Sequence, residues 1–124
     1  KMNIEGKASI MKIYVGESDK VNGRPLYEEI LFAARSAGLA GASVFRGVLS
    51  FGASHSLHTM KIFALSGDQP VLIEIVDTTK NLTEFSPTLF QLMDESRKGG
   101  LVTLHKLDVL RYRKGEKYNE FTSF

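Results

Sequence analysis

The sequence predicts an α+β fold of ferredoxin-like type. This is a βαββαβ sandwich with a four-stranded antiparallel sheet, two helices on one face and a long loop between strands two and three. Three observations carry that expectation. Two stretches, Leu26 to Ala37 and Leu82 to Leu92, repeat apolar residues at helical spacing. Stretches rich in β-branched and aromatic residues alternate with them, and the strongest, Val71 to Val76, puts Val71, Ile73 and Ile75 on one face. Between the middle strands runs a glycine-, serine- and histidine-rich segment, Arg46 to Thr59, with little to bury.

Taken in order, Ser9 to Val15 is the first strand. Met11, Ile13 and Val15 share one face, and Ile10, Lys12 and Tyr14 the other. The polar connection Gly16 to Arg24 contains Asn22-Gly23, a turn signal. Pro25 suits the first helical position, where its missing N–H costs nothing. Leu26, Ile30, Ala33 and Ala37 follow as a stripe that Gly38 ends. Ala42 to Leu49 returns to strand composition, and Leu57 to Leu65 fits an extended arm or a short helix. Ser66 to Pro70 reads as a turn, and Val71 to Val76 is the clearest strand.

Asn81 and Glu84 have the spacing of a capping box, which puts the second helix start near Thr79 to Asn81. Pro87 is expected to kink or split that helix, because it removes a backbone bond to Thr83. Arg97 and Lys98 suit the negative pole, and Gly99-Gly100 terminate the helix. Leu101 to Tyr112 is the last strand. One domain, 1–124, is expected, with its core at 8–112 and a loosely held tail at 113–124.

Two helices cover only one side of four strands. Ile10, Tyr14, Leu72 and Val76 point to the other side, and an apolar sheet face of that size needs a partner. An oligomer built by packing the uncovered faces together is therefore expected. Glu74, in mid-strand on that same face, is suited to a polar contact between strands or subunits.

Bulk composition sets the outer bounds. The chain has 124 residues, 43% hydrophobic and 24% charged, which is globular rather than disordered. A net charge of +2 is too mild to imply nucleic acid. With no cysteine, thiol catalysis and disulfides are excluded. No segment approaches the roughly 20 apolar residues of a membrane helix. Lys1 to Lys7 lack the apolar stretch of a signal peptide, and Met2 is read as the natural start. A cytoplasmic location follows as the expectation.

Chemistry-bearing residues are sparse. His55 and His58 stand three apart in the loop and His105 lies in the last strand, but a metal site needs three or four ligands. Ser54 and Ser56 flank His55 without a carboxylate to orient the imidazole. Glu17 and Asp19 follow the first strand and are candidates to face a pocket. No complete catalytic set emerges, so no enzyme is expected and no cofactor is required. Arg111 and Arg113 share one face of an extended chain and can grip an anion bidentately. Gly99-Gly100 offer unobstructed backbone N–H groups.

Gly38-Leu39-Ala40-Gly41-Ala42-Ser43-Val44 after an amphipathic helix, Phe51-Gly52 opening a long loop, and Arg111-Tyr112-Arg113-Lys114-Gly115-Glu116 together resemble the PII signal-transduction proteins. More specific is the likeness to a PII-like family classed as a domain of unknown function. It rests on Ile13-Tyr14-Val15-Gly16-Glu17, Pro25-Leu26-Tyr27, Phe45-Arg46-Gly47, His58-Thr59, Pro70 to Asp77 and Gly100-Leu101-Val102-Thr103, and spans residues 8 to 112. The resemblance implies a homotrimer whose sheets form the central core. It also implies an adenine nucleotide (AMP, ADP, ATP or cyclic AMP) in the clefts between subunits, and a loop that grips a target enzyme or membrane transporter. By position, the nucleotide residues are Gly47, Gly52, Gly99, Gly100, Arg111 and Arg113. The partner-binding loop carries Arg46, Phe51, His55 and His58. The Gly-Asp-Gly-Lys run of PII proteins is missing; Gly99-Gly100 remain, with Lys98 before them. The other readings are a ligand-independent interaction module, and a metal protein or enzyme using His55, His58 or Glu17.

Overall fold

The computed structural model describes residues 5–47, 69–113 and 115. The elements are β1 (Gly6–Gly16), a short ribbon of β2 (Lys20–Val21) and β3 (Arg24–Pro25), α1 (Leu26–Ser36), β4 (Ala42–Arg46), β5 (Pro70–Asp77), α2 (Thr79–Ser96) and β6 (Leu101–Val109). The main sheet is antiparallel throughout, in the order β4-β5-β1-β6. This is the expected ferredoxin-like sandwich. Among the described residues, no helix is long and apolar enough to cross a membrane.

Strand alternation decides what is buried. Met11, Ile13 and Val15 of β1 and Val71, Ile73 and Ile75 of β5 point to the helices, where Leu26, Ile30, Leu82, Phe85 and Leu89 meet them. The opposite face is organised in rows by the strand register. Phe45, Leu72, Tyr14 and Leu101 stand side by side across all four strands. Phe45 is 49% exposed, Tyr14 40% and Leu101 55%. The core helices lie against the other side, so this row is an apolar surface open to solvent.

Several boundaries differ from the sequence reading, each for a local reason. Pro25 precedes α1 instead of starting it. It closes the ribbon opposite Lys20, at φ −58° and ψ 131°, and the next N–H, of Leu26, donates to the Asp19 carbonyl at 2.8 Å. The cap of α2 is Thr78, three residues ahead of Asn81: its hydroxyl accepts the Asn81 N–H at 3.1 Å.

Pro87 does not split α2. The Thr83 carbonyl that it deprives of a backbone donor is satisfied by the Ser86 hydroxyl at 2.7 Å, so the helix runs on to Ser96. Its stop is Arg97, held left-handed at φ 61°, and Gly99-Gly100 lie beyond it. Gly38 ends α1 as expected, at φ +79°. The last strand ends at Val109 and does not reach Tyr112, because Val109 pairs with Gly6, where β1 itself begins. Of the expected Ala42 to Leu49 strand, β4 covers Ala42–Arg46, Gly47 follows outside it, and residues 48 and 49 lie outside the described residues. Leu57 to Leu65 lies outside the described residues.

Candidate functional site

Topology sorts the candidate residues between the two ends of the sheet. β1 runs to Gly16, β4 to Arg46 and α2 to Ser96, while β5 and β6 start at Pro70 and Leu101. Arg46, Gly47, Gly99, Gly100 and Glu17 therefore share one end. Arg111 and Arg113 follow the finish of β6 at the opposite end. With β6 nine residues long, the two sets lie on the order of 25 Å apart. One small ligand cannot touch both sets on a single chain. Gly52, Phe51, His55 and His58, with Ser54 and Ser56, lie outside the described residues.

At the first end, the feet of the connection between β4 and β5 are tied together. The Gly47 N–H donates to the Pro70 carbonyl at 2.7 Å, and the Glu17 N–H to the Gln69 carbonyl at 2.8 Å. The Glu17 carboxylate takes a hydrogen bond from the Arg46 guanidinium and a weak one from the Gln69 N–H at 3.4 Å. Glu17 thus holds both feet instead of facing a pocket. Asp19 is buried and folded into its own turn, accepting the Gly16 N–H at 2.9 Å.

Two of the candidate glycines answer to packing. A Cβ on Gly47 would come 2.7 Å from the Pro70 ring. One on Gly100 would come 2.7 Å from Met93 Cε and 3.0 Å from the Tyr14 carbonyl oxygen. Met93 can swing aside but the Tyr14 backbone yields less readily, so Gly100 suits the close fit of β6 against β1.

At the second end, the arginine segment is held by a residue that the sequence did not single out. One oxygen of Glu5 accepts the Tyr112 N–H at 2.8 Å and a hydrogen bond from the Arg113 guanidinium. Sequence reasoning had no signal for Glu5, whose partners lie 107 and 108 positions away. Arg111 and Arg113 follow the end of β6 at Val109, and both are exposed.

The Tyr112 N–H holds the Glu5 carboxyl below its ordinary value; burial opposes it, and the Arg113 guanidinium and the charge of Arg111 add to the lowering. A depressed folded-state pKa means the contact is at full strength above the ordinary carboxylate value and is lost as pH falls through the lower one. The Tyr112 amide resonance is expected to titrate with a midpoint below that of an unperturbed glutamate, and Glu5→Gln to abolish the titration. A midpoint at or above the ordinary value would contradict the geometry.

Below the sheet at this same end, Asp77 is fully buried. It accepts the Ala40 N–H at 2.7 Å, the Thr78 N–H at 2.7 Å and the Asn81 side-chain amide at 2.9 Å. Nearby, the buried Ser9 hydroxyl meets the Thr79 hydroxyl at 2.6 Å. Asp77 shares strand parity with Val71, Ile73 and Ile75, and that alternation is the signal that marks it as buried. His105 lies on the open sheet face, 3.1 Å from the Thr103 hydroxyl. A groove of about 550 Å³ between the helices, lined by Ala33, Ser36, Ala37, Asn81, Glu84, Phe85 and Thr88, holds none of the candidate residues.

Comparison with known proteins bears on this arrangement. The profile of the DUF190 family, described as an uncharacterised ACR, matches residues 8–109. A UPF0166 protein of Methanocaldococcus jannaschii is 34% identical over 112 residues, covering 90% of this chain and 97% of the relative. Among solved structures, CPII, a nitrogen regulatory PII-like protein from Thiomonas intermedia bound to ADP, AMP and bicarbonate, superposes with a TM-score of 0.61. It is 18% identical, over 88% of this chain and 94% of that one. A putative PII-like signalling protein from Thermus thermophilus gives a TM-score of 0.53 at 13% identity, over 90% and 95% of the two chains. These likenesses establish the fold. The chain belongs to the DUF190 family and has the PII-like fold.

Proposed function

We propose that this chain is a non-catalytic PII-like signalling protein. In this reading, copies assemble as a trimer through their open sheet faces and take an adenine nucleotide, or a similar small anion, in the clefts between them. The segment 46–59 contacts a target protein. The observation that carries the ligand reading is the convergence of the Tyr112 N–H and the Arg113 guanidinium on one carboxylate oxygen of Glu5. A backbone donor and a guanidinium aimed at a single anionic oxygen are the groups a phosphate would use. The separation of the two candidate sets supports a cleft between copies: Gly47, Gly99 and Gly100 of one copy can meet Arg111 and Arg113 of another. The PII-like neighbour with ADP and AMP bound suggests which anions to try.

Calorimetry with AMP, ADP, ATP and cyclic AMP tests this reading. At least one is expected to bind the full chain, with Arg113→Ala weakening it about 10-fold or more. Silence from all four, in protein shown to be assembled, would remove the nucleotide and leave a ligand-independent interaction module.

A further inference from the structure

The row next to the apolar one crosses the same open face and is polar. Ser43, Glu74, Lys12 and Thr103 are register partners across β4, β5, β1 and β6. Val76, Ile10 and His105 form the row on its other side. Two opposite charges therefore sit mid-sheet, with the apolar row on one side and Val76 and Ile10, beside His105, on the other. Lys12 and Glu74 are direct cross-strand neighbours, the arrangement in which opposite charges ordinarily attract. Yet the ion pairs among the described residues are Arg24–Glu29, Arg46–Glu17 and Arg113–Glu5, and neither Lys12 nor Glu74 enters one.

We propose that Lys12 of one copy pairs with Glu74 of another, so that this polar row sets the register in which copies of the chain assemble. The inference rests on the oligomer reading above. Covering this face with an apolar partner would strip water from both charges, and no ion pair among the described residues is present to offset it, a large cost for a buried ion. A second copy brings the missing counter-charge for each, because every chain carries one of each sign in the same row. A shift of one copy along the other would part each charge from its counter-charge and leave both buried without one, so the pairing fixes registry as well as partner. A lone polar pair inside an apolar contact is the best-attested device for that purpose.

The test uses the full chain in sedimentation velocity and native mass spectrometry, with circular dichroism to report folding. Lys12→Glu and Glu74→Lys are each expected to raise the dissociation constant of the assembly about 100-fold or more. Mixing the two singly reversed chains is expected to form assemblies containing both, which a pair closed within one chain would not produce. The doubly reversed chain is expected to assemble like the unmodified one, and it decides the case where a single reversal fails to fold. An unmodified chain that is monomeric overturns the oligomer reading and this proposal with it. An assembly indifferent to both reversals, or a folded double variant that stays apart, overturns this proposal alone.

Discussion

Replacing Asp77 by alanine is expected to cost about 3–5 kcal/mol of folding stability, since it removes a charged acceptor of three hydrogen bonds and leaves the donors behind. The residue is fully buried, and its three donors come from the α1–β4 connection and the start of α2. One carboxylate therefore fastens both crossovers to the end of the central strand β5. Asp77→Asn keeps one acceptor oxygen and is expected to lose about half as much. Urea unfolding measures the effect as a lowered midpoint at unchanged slope. A loss below about 1 kcal/mol for Asp77→Ala would show that water replaces the carboxylate there.

Tyr14→Lys is expected to leave the chain folded and to abolish its assembly, raising the dissociation constant about 100-fold or more. Tyr14 lies in the central strand β1, in the apolar row between Leu72 and Leu101, and is 40% exposed on one chain. Surface substitutions away from special contacts change stability by about 0.5 kcal/mol or less. The single chain should tolerate the exchange. An interface built on that row should not, because it would bury a lysine beside Lys12 without a counter-charge. Light scattering at micromolar concentration reads the outcome. A Tyr14→Lys chain that assembles like the original would place the interface elsewhere.

How much of this was legible in the sequence depends on the range of each interaction. The face assignments of β1 and β5 followed from period-two alternation, and the core-facing stripes of both helices from helical spacing. Both are properties of a few consecutive residues. The strand boundaries were less legible because a strand ends where its partner ends. β6 stops at Val109 because β1 starts at Gly6, although composition alone runs on to Tyr112. α2 starts at Thr79, inside the expected Thr79 to Asn81 window, but its cap is Thr78, whose N–H Asp77 holds, and not the Asn81 of the Asn81/Glu84 spacing.

The candidate site divides in the same way. Residue type nominated Gly100, Arg111 and Arg113, and the resemblance nominated Gly47 by position; the fold shows what each of them touches. Gly47 and Gly100 are fitted against Pro70 and against Met93 and Tyr14. Arg113 is engaged by Glu5, and Glu17 by Arg46. Local pattern was enough for element type, facing and the uncovered apolar sheet, because side-chain direction follows the backbone repeat. Tertiary packing alone could place the glycines and arginines at opposite ends of the sheet, join Glu5 to Tyr112 and Arg113, and set Lys12 opposite Glu74. Those contacts join residues some 60 to 108 positions apart, and no local periodicity carries information over that distance.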